Sequence, residues 1–239
     1  MADKIKSIEA EQSLQQKQIE MYAMNEQLSK AKLEALQSQM NPHFIFNSLN
    51  AIDNLIQTNQ KDKATTYLAR FAKLIRNVLD SSKNDVVSFQ KDFETLQLYL
   101  QMEQFRCSDK FSFQLQADEE LLHSDYKVPP LIVQPFVENA IHHGLLNKQD
   151  GNKTLTVVAT LENDFIKYII EDNVVGRVKV HQLKVINNPE HQSYGINITT
   201  ERIHLYNKSG EYNHVTITDL FIDNKPAGTK VEISLKVFE

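Results

Sequence analysis

Residues 154–172 read TLTVVATLENDFIKYIIED, two apolar segments separated by a short polar stretch. The β-branched and aromatic residues of 154–161 and 165–172 predict two neighbouring strands, joined by a turn at residues 162–164. The same signal recurs at residues 111–116, 215–222 and 229–237. The last two segments predict a terminal hairpin around residues 224–228. Because helical patterns separate these strands, the second half of the chain is predicted to be an α+β sandwich with helices on one face.

The first 105 residues follow a different pattern, with no glycine and a single proline. Apolar residues at helical spacing predict helices over residues 42–58, 61–81 and 90–105. The second helix carries one apolar face, formed by Ala64, Leu68, Phe71, Ile75 and Val78. The first two would form an antiparallel helical hairpin of the kind that dimerises into a four-helix bundle. Later helices are predicted after the prolines of 128–144, closed by Gly144, and over residues 177–187 and 195–208.

Residues 5–40 are polar and carry a sparse heptad pattern. Its apolar positions are Leu14, Met21, Leu28 and Ala35, with Met24 and Ala31 at the complementary position. A long polar helix needs a partner to persist, which favours a parallel dimeric coiled coil; a solvated single helix is the alternative. The sequence therefore predicts three regions: a coiled-coil helix over 1–40, a helical dimerisation region over 41–106 and an α+β domain over 107–239.

Composition and charge exclude several classes of protein. The 239 residues carry a formal net charge of −5, which gives no general attraction to nucleic acid. Cys107 is the only cysteine, so an intramolecular disulfide is impossible and a reducing compartment is expected. No apolar run approaches the roughly 20 residues that span a bilayer, and no signal peptide opens the chain. These features are typical of a cytoplasmic protein.

The segment NPHFIFNSLN, residues 41–50, combines a helix start with a titratable ring. On a helical wheel, one stripe is apolar (Ile45, Leu49, Ile52, Ile56) and the opposite one is polar (His43, Asn47, Asn50, Asn54). Asn41 is a favourable N-cap and Pro42 suits a first turn, so either a new helix begins here or one continuous helix kinks. His43 is accordingly either incidental to a helix junction or presented by it.

The segment VENAIHHG, residues 137–144, holds a second group of polar side chains. Glu138 and Asn139 are adjacent, and His142 follows one helical turn later. Carboxylate and amide oxygens suit Mg²⁺, which usually also binds substrate phosphates. The alternative is an ordinary helix C-terminus, where histidines interact favourably with the helix dipole. Zinc is disfavoured, because consecutive residues on a helix diverge and rarely ligate one ion together.

Three short segments combine glycine with polar residues: IIEDNVVGR (169–177), SYGINITTERI (193–203) and PAGTK (226–230). Asp172 ends a predicted strand, where its carboxylate can accept a hydrogen bond from the exocyclic amine of a base. Gly195 precedes a predicted helix, whose first backbone amides can face a phosphate. Gly228 and Thr229 stand at a hairpin entry. Ordinary turn chemistry explains each segment equally well alone, but their combination in one domain is more specific.

Taken together, NPHFIFNSLN, VPPLIVQPFVENAIHHG, DNVVGR and SYGINITTERI resemble the cytoplasmic core of LytS/YehU-type sensor histidine kinases. The resemblance extends over residues 35–239. It implies an ATP-binding domain of the GHKL superfamily, with the Bergerat fold, behind a dimerising helical hairpin. It also implies a cytoplasmic location, as part of a membrane-anchored bacterial sensor whose sensor region lies outside this chain.

The resemblance assigns roles to individual residues. His43 would be the phosphoacceptor, with Glu138 or Asn47 helping to orient its ring, and Asn139 would coordinate Mg²⁺. The other residues implied at the nucleotide are His142, Asp172 (at the adenine amino group), Gly176, Gly195, Gly228 and Thr229. Residues 177–194 would form the mobile lid over ATP.

The implied function is ATP-dependent autophosphorylation of His43 in a homodimer, with ATP and Mg²⁺ as cofactors. The phosphoryl group would then pass to an aspartate in the receiver domain of a response regulator, of the LytTR type. Three positions depart from the pattern: Val174 replaces the middle glycine of the Asp-x-Gly-x-Gly box, Asn197 stands where many relatives have a second glycine, and His142 takes a place often held by lysine. The alternative is therefore a degenerate core that is not catalytic and acts as a dimeric, signal-transmitting interaction module.

Overall fold

The computed structural model describes residue 15 and residues 42–108, 110–147, 151–174, 190–207, 214–223 and 225–237. The chain divides into two units, Met1–Asn50 and Ala51–Glu239, and all the described strands belong to the second. In the described part of the chain, no helix is long and apolar enough to cross a membrane. The predicted coiled coil lies outside the described residues except for residue 15, and so does the helix predicted over 177–187.

The described residues contain six α-helices: α1 (Pro42–Gln57), α2 (Lys61–Ser81), α3 (Phe89–Arg106), α4 (Glu119–Leu122), α5 (Gln134–Asn139) and α6 (Glu190–Asn207). The first three match their predicted spans to within one residue at each end. Helix α3 begins where the Ser88 side chain accepts a hydrogen bond from the Lys91 amide. Asp92 in its first turn and Arg106 in its last complement the helix dipole. The antiparallel hairpin of α1 and α2 stays a prediction.

The buried faces of α1 and α2 differ from the predicted ones. On α1, Leu49 and Ile56 are 48% and 57% exposed. The buried α1 residues are Phe44, Ser48, Ile52 and Leu55. On α2, Leu68 is 49% exposed, and the buried stripe runs through Ala64, Tyr67, Leu74, Val78 and Ser81. Both helices carry apolar residues on more than one side, so the periodicity alone did not select the face that packs.

The described residues of the second unit also form seven strands: β1 (Val87–Ser88), β2 (Ser112–Ala117), β3 (Lys127–Val128), β4 (Thr154–Glu162), β5 (Phe165–Asp172), β6 (Val215–Ile222) and β7 (Lys225–Lys236). Five of them form one sheet in the order β2-β4-β5-β7-β6, while β1 pairs with β3. Strand β2 runs parallel to β4, and the other neighbours in the sheet are antiparallel. The predicted α+β class is confirmed.

The two predicted hairpins are present, with tighter turns than expected. Glu162 pairs with Phe165, so residues 163–164 alone make the first turn, with Asn163 at φ 55°. In the terminal hairpin Ile222 pairs with Lys225, and β7 begins at Lys225. The expected turn over residues 224–228 is therefore wrong, since most of that stretch pairs with β6 as strand.

One face of the sheet is covered and forms the core. Buried residues alternate along β4, β5 and β7, as expected when a sheet packs on one side. Helix α3 reaches this face through Phe89, whose ring centroid lies 6.1 Å from that of Tyr168. Helix α6 is tied to β7 through Asn207, whose side chain donates to the Ser234 carbonyl (2.8 Å) and accepts from the Lys236 amide (2.8 Å).

Candidate functional site

Asp172, the last residue of β5, lies at the edge where several elements meet. It is only 6% exposed, and the Val174 amide donates a hydrogen bond to its Oδ1 at 3.1 Å. The backbone amide of Thr229, its partner on β7, donates to the same carboxyl group. Burial raises the pKa of Asp172 to about 6, although these two hydrogen bonds act in the opposite direction. The two amides hold the Asp172 carboxyl in place, and a further hydrogen-bond donor would stabilise its charged form.

Gly228 allows β7 to come close to the end of β5. A Cβ atom at this position would overlap the carbonyl oxygen of Asp172. The pairing of β6 with β7 also shifts register beside it, between Leu220 and Phe221. Gly228 is therefore needed for a close approach of two strands and does not belong to a loose turn.

Gly144 brings the Glu-Asn segment against the same carboxylate. A Cβ atom here would lie 3.5 Å from Val174 Cγ2 and 3.7 Å from Asp172 Cγ, which is ordinary van der Waals contact. Val174 itself is only 4% exposed. The structure thus brings together Gly144, Asp172, Val174, Gly228 and Thr229, which come from three separate stretches of the sequence.

The Glu-Asn segment is helical, but it does not end at Gly144 as predicted. Helix α5 has Pro135 in its first turn and continues after Asn139 as a π-turn, Ala140–Gly144, followed by a 3₁₀ turn, Leu145–Asn147. Leu145 keeps a helical φ of −60°, which is why the glycine does not act as a stop. Glu138 and Asn139 are both half-buried and lie where the wider turn begins. Single π-turns inside helices are frequent at functional sites.

His142, inside the π-turn, contacts a buried acidic side chain on α3. Its Nε2 lies 3.3 Å from Oε2 of Glu103, which is fully buried. Arg106 donates to both carboxylate oxygens of Glu103, at 3.1 Å and 2.7 Å. Although burial favours the neutral acid, the hydrogen bonds from His142 and Arg106 together hold the pKa of Glu103 below its usual value. Burial, and then the Glu138 carboxylate, raise the pKa of the neighbouring Tyr99.

A strained residue precedes α5 and is held from two sides. Leu131 has φ 59°, and its amide donates to Oδ1 of Asp92 at 2.8 Å. Arg202 of α6 donates to the Pro130 carbonyl at 3.3 Å. Burial raises the pKa of Asp92 to about 6, opposed by the Leu131 hydrogen bond and by the charge of Arg202. Asp92, Glu103 and Arg202 are not recognisable as site residues from the sequence, because charged residues at helical spacing look like solvated ones until their burial is known.

The other predicted site residues lie in the first unit, inside α6 or outside the described residues. His43 and Asn47 are one turn apart on α1, in the Met1–Asn50 unit, and Asn47 is half-buried. Gly195 does not precede its helix as expected, since α6 begins at Glu190. One glycine inside a helix costs only about 1 kcal/mol, so the helix can continue through Gly195. Gly176 and residues 177–189 of the expected lid lie outside the described residues.

Oxygen donors at this site suit Mg²⁺ only in part. Within the described residues, no group of three or more His, Cys, Asp or Glu side chains could hold a metal ion. Glu138 and Asn139 offer two adjacent oxygen-bearing side chains. Such a partial set fits Mg²⁺, which commonly takes one or two protein ligands together with phosphate oxygens and water.

Comparison with known proteins relates the chain to sensor kinases. The family model for histidine kinases matches residues 31–111. The sensor protein LytS of Oceanobacillus iheyensis is 31% identical over 222 residues, 91% of this chain and 36% of that protein. LytS of a Staphylococcus epidermidis strain is 31% identical over 159 residues, 66% of this chain and 26% of that protein. The sensor histidine kinase/phosphatase LytS of Staphylococcus aureus is 32% identical over 158 residues, 65% and 26% of the two lengths.

Proposed function

Because the chain belongs to the LytS-type sensor histidine kinases, we propose that it is the kinase core of a two-component sensor. The chain spans 26% to 36% of the length of the relatives compared, and we propose for it the kinase activity that one of their names indicates. The proposed reaction is ATP-dependent phosphorylation of His43. The main observation that supports this reaction is that Gly144 and Gly228 lie beside Asp172, whose carboxyl accepts hydrogen bonds from two backbone amides.

The nucleotide is proposed to bind at Asp172. Its carboxylate accepts a hydrogen bond from the adenine amino group, and the Val174 and Thr229 amides keep the carboxyl in place. A raised pKa supports this role, because a buried carboxylate gains from a neutral donor such as an exocyclic amine. Gly228 allows the close approach of β7 to the end of β5, where Asp172 lies. Gly176 and Gly195 are proposed to line the phosphate side.

The phosphoryl group is proposed to move from ATP to an imidazole nitrogen of His43. The nitrogen attacks the γ-phosphorus, a nitrogen–phosphorus bond forms, and the bond to the β,γ-bridging oxygen breaks as ADP leaves. Glu138 and Asn47 orient the ring. Asn139, beside Glu138, holds Mg²⁺, which when bound offsets negative charge on the phosphate oxygens. Histidine suits this relay because it is a competent nucleophile near neutral pH.

The proposed partners are a second copy of the chain and a response regulator. The proposed regions are a coiled coil over residues 1–40, which lie outside the described residues except for residue 15, a dimerising phosphotransfer region over 41–106 and a GHKL-type ATP-binding domain over 107–239. The acceptor is an aspartate in a receiver domain of the LytTR type. The chain is the cytoplasmic part of a bacterial sensor, joined to the membrane through a region outside this sequence, and it does not itself bind nucleic acid.

The test is acid-labile labelling from γ-³²P-ATP with Mg²⁺. Wild-type protein should incorporate label that is lost in acid and retained in base, as expected for phosphohistidine. His43→Ala should abolish it. His123→Ala is the matched control, since it removes an exposed histidine from the end of α4 and should label like wild type. Equal labelling of wild type and His43→Ala would show that His43 is not the acceptor.

Val174 supports a second candidate, the non-catalytic interaction module. Its side chain is buried beside Asp172 in the position where the family pattern has a glycine. A β-branched side chain there occupies space that a nucleotide would use. Calorimetry with a non-hydrolysable ATP analogue and Mg²⁺ separates the two functions. No binding at millimolar analogue, with binding restored by Val174→Gly, would favour the interaction module over the kinase.

A further inference from the structure

The cluster of Glu103, Arg106 and His142 joins α3 to the π-turn. Arg106 lies three residues from Glu103 on the same helix, so its contact with Glu103 holds no second element. The contact between Glu103 and His142 is different, because it connects positions 39 residues apart in the chain. The interaction that crosses between elements is thus carried by the carboxylate and the imidazole.

We propose that Glu103 is a positioning residue for the nucleotide site. Together with Arg106 it holds His142, and through His142 it fixes the π-turn between Glu138–Asn139 and Asp172. This inference rests on the proposed function, because the property that it controls is the affinity for nucleotide. It gives His142 a role that the family resemblance does not: the ring acts on the nucleotide through the turn and does not touch it.

The burial of Glu103 restricts the movement of its contact with His142. Its side chain is 1% exposed, while the side chains of both Arg106 and His142 are 17% exposed. A buried carboxylate must keep its partners, because an unpaired buried charge is strongly destabilising. The two hydrogen bonds from Arg106 fix the carboxylate plane, which in turn fixes where the His142 nitrogen can lie.

The π-turn transmits this position to both halves of the site. His142 and Gly144 are two residues apart; His142 contacts Glu103, and Gly144 faces Asp172 and Val174 across a space that one methyl group would fill. Asn139, the proposed Mg²⁺ ligand, directly precedes the turn. A π-turn is an uncommon backbone geometry and persists where its surroundings impose it. Release of His142 would therefore shift Asn139 and Gly144 relative to Asp172.

A double-mutant cycle on nucleotide affinity tests the inference with the full chain. The dissociation constant of a non-hydrolysable ATP analogue with Mg²⁺ is measured by calorimetry for wild type, Glu103→Gln, His142→Leu and the double variant. Each single change should weaken binding by about tenfold, as for other residues that orient a ligand-holding group. The dissociation constant of the double variant should be no larger than that of the single variant that binds the analogue more weakly, because the two single changes remove the same contact. Multiplicative losses would overturn the inference, since His142 would then act on the nucleotide independently of Glu103.

Two further variants separate positioning from general stability. His142→Lys supplies an ammonium group that can donate to Glu103 and should restore binding to within about threefold of wild type. Asp80→Asn is the matched control, because it removes the acid of another i,i+3 ion pair, Lys83–Asp80 at 3.0 Å, on the exposed side of α2. It should leave the affinity unchanged. A loss in His142→Lys equal to that in His142→Leu would contradict the role of the contact with Glu103.

Amide hydrogen exchange without nucleotide provides a second readout. Exchange across residues 140–147 should become at least about tenfold faster in Glu103→Gln and stay unchanged in Asp80→Asn. Unchanged exchange in Glu103→Gln would overturn the inference whether or not the chain binds nucleotide. Failure of wild type to bind the ATP analogue would instead overturn the proposed function, and with it the effect on affinity. The two failures are therefore distinguishable.

Discussion

Asp172 lowers the stability of the fold at the place where a ligand is proposed to bind. Its pKa rises from 3.8 to about 6 on folding, mainly because of burial. The folded protein therefore keeps this proton over a pH range in which the unfolded chain has lost it. Stability falls as the pH rises from about 4 to 6 and is then constant, with a total loss of roughly 3 kcal/mol from this group. A buried residue that lowers stability in this way is typical of a functional site.

Replacement of this carboxyl group should flatten the pH dependence. Asp172→Asn removes the titrating group, so its free energy of unfolding should decline less than that of wild type between pH 4 and 6. The measurement is urea denaturation at several pH values. Asp92→Asn is a useful comparison, because burial also raises the pKa of Asp92 to about 6. It should flatten the curve similarly but leave nucleotide affinity intact. A decline as steep in Asp172→Asn as in wild type would contradict the pKa assignment.

At the scale of the residue, the sequence predicts that a strand ends at Asp172, but it does not predict which residues surround the Asp172 side chain. Alternation in 165–172 predicts a strand that ends at Asp172, and the structure confirms that end. Which residues lie beside it depends on pairing between β5 and β7 and on the π-turn, and neither is visible in local periodicity. Glu103 is a similar case. Its spacing from Arg106 is readable, but its burial beneath His142 requires the tertiary fold.

At the scale of elements, the five strands of the main sheet were predictable, whereas the two-residue strands β1 and β3 and the ends of two helices were not. Apolar alternation and β-branched residues located β4 to β7 to within a few residues. The helix boundaries predicted at Gly144 and Gly195 were wrong, because a glycine can either end a helix or lie inside one. Here both glycines lie inside helical turns. The two glycines nearest Asp172 also differ from each other. Gly228 is needed by the backbone of the sheet, whereas Gly144 leaves room for a methyl group.

This difference leads to opposite expectations for two alanine variants. Gly228→Ala forces a methyl group against the Asp172 carbonyl, so β7 must move and the free energy of unfolding should fall by about 1–3 kcal/mol. Gly144→Ala meets only ordinary contacts and should leave stability unchanged or slightly raised. Its methyl group nevertheless fills space beside the Asp172 carboxylate and should weaken binding of an ATP analogue. Thermal unfolding and calorimetry on both variants check this; a stable Gly228→Ala would contradict the close approach of the strands.

At the scale of the molecule, the helices carry apolar surface that the single chain leaves exposed. Leu68 and Leu79 on α2 are 49% and 46% exposed. These positions explain why the predicted faces did not match the buried ones, since an apolar stripe can face a second chain as well as its own core. Helical periodicity indicates how much apolar surface exists. It cannot divide that surface between an internal core and an interface between copies.

Replacement of Leu68 by a charged residue should therefore weaken the proposed homodimer. Loss of one buried leucine costs about 1.5–3 kcal/mol, and each copy contributes one, so Leu68→Asp should raise the dimer dissociation constant by at least about tenfold. Analytical ultracentrifugation over a concentration series measures this constant. The matched control is Phe221→Asp, which changes a 57% exposed apolar residue near the tip of the β6–β7 hairpin and should leave the dimer intact. If Phe221→Asp dissociates the chains and Leu68→Asp does not, the copies associate through the sheet, and the apolar face of α2 is free for another partner.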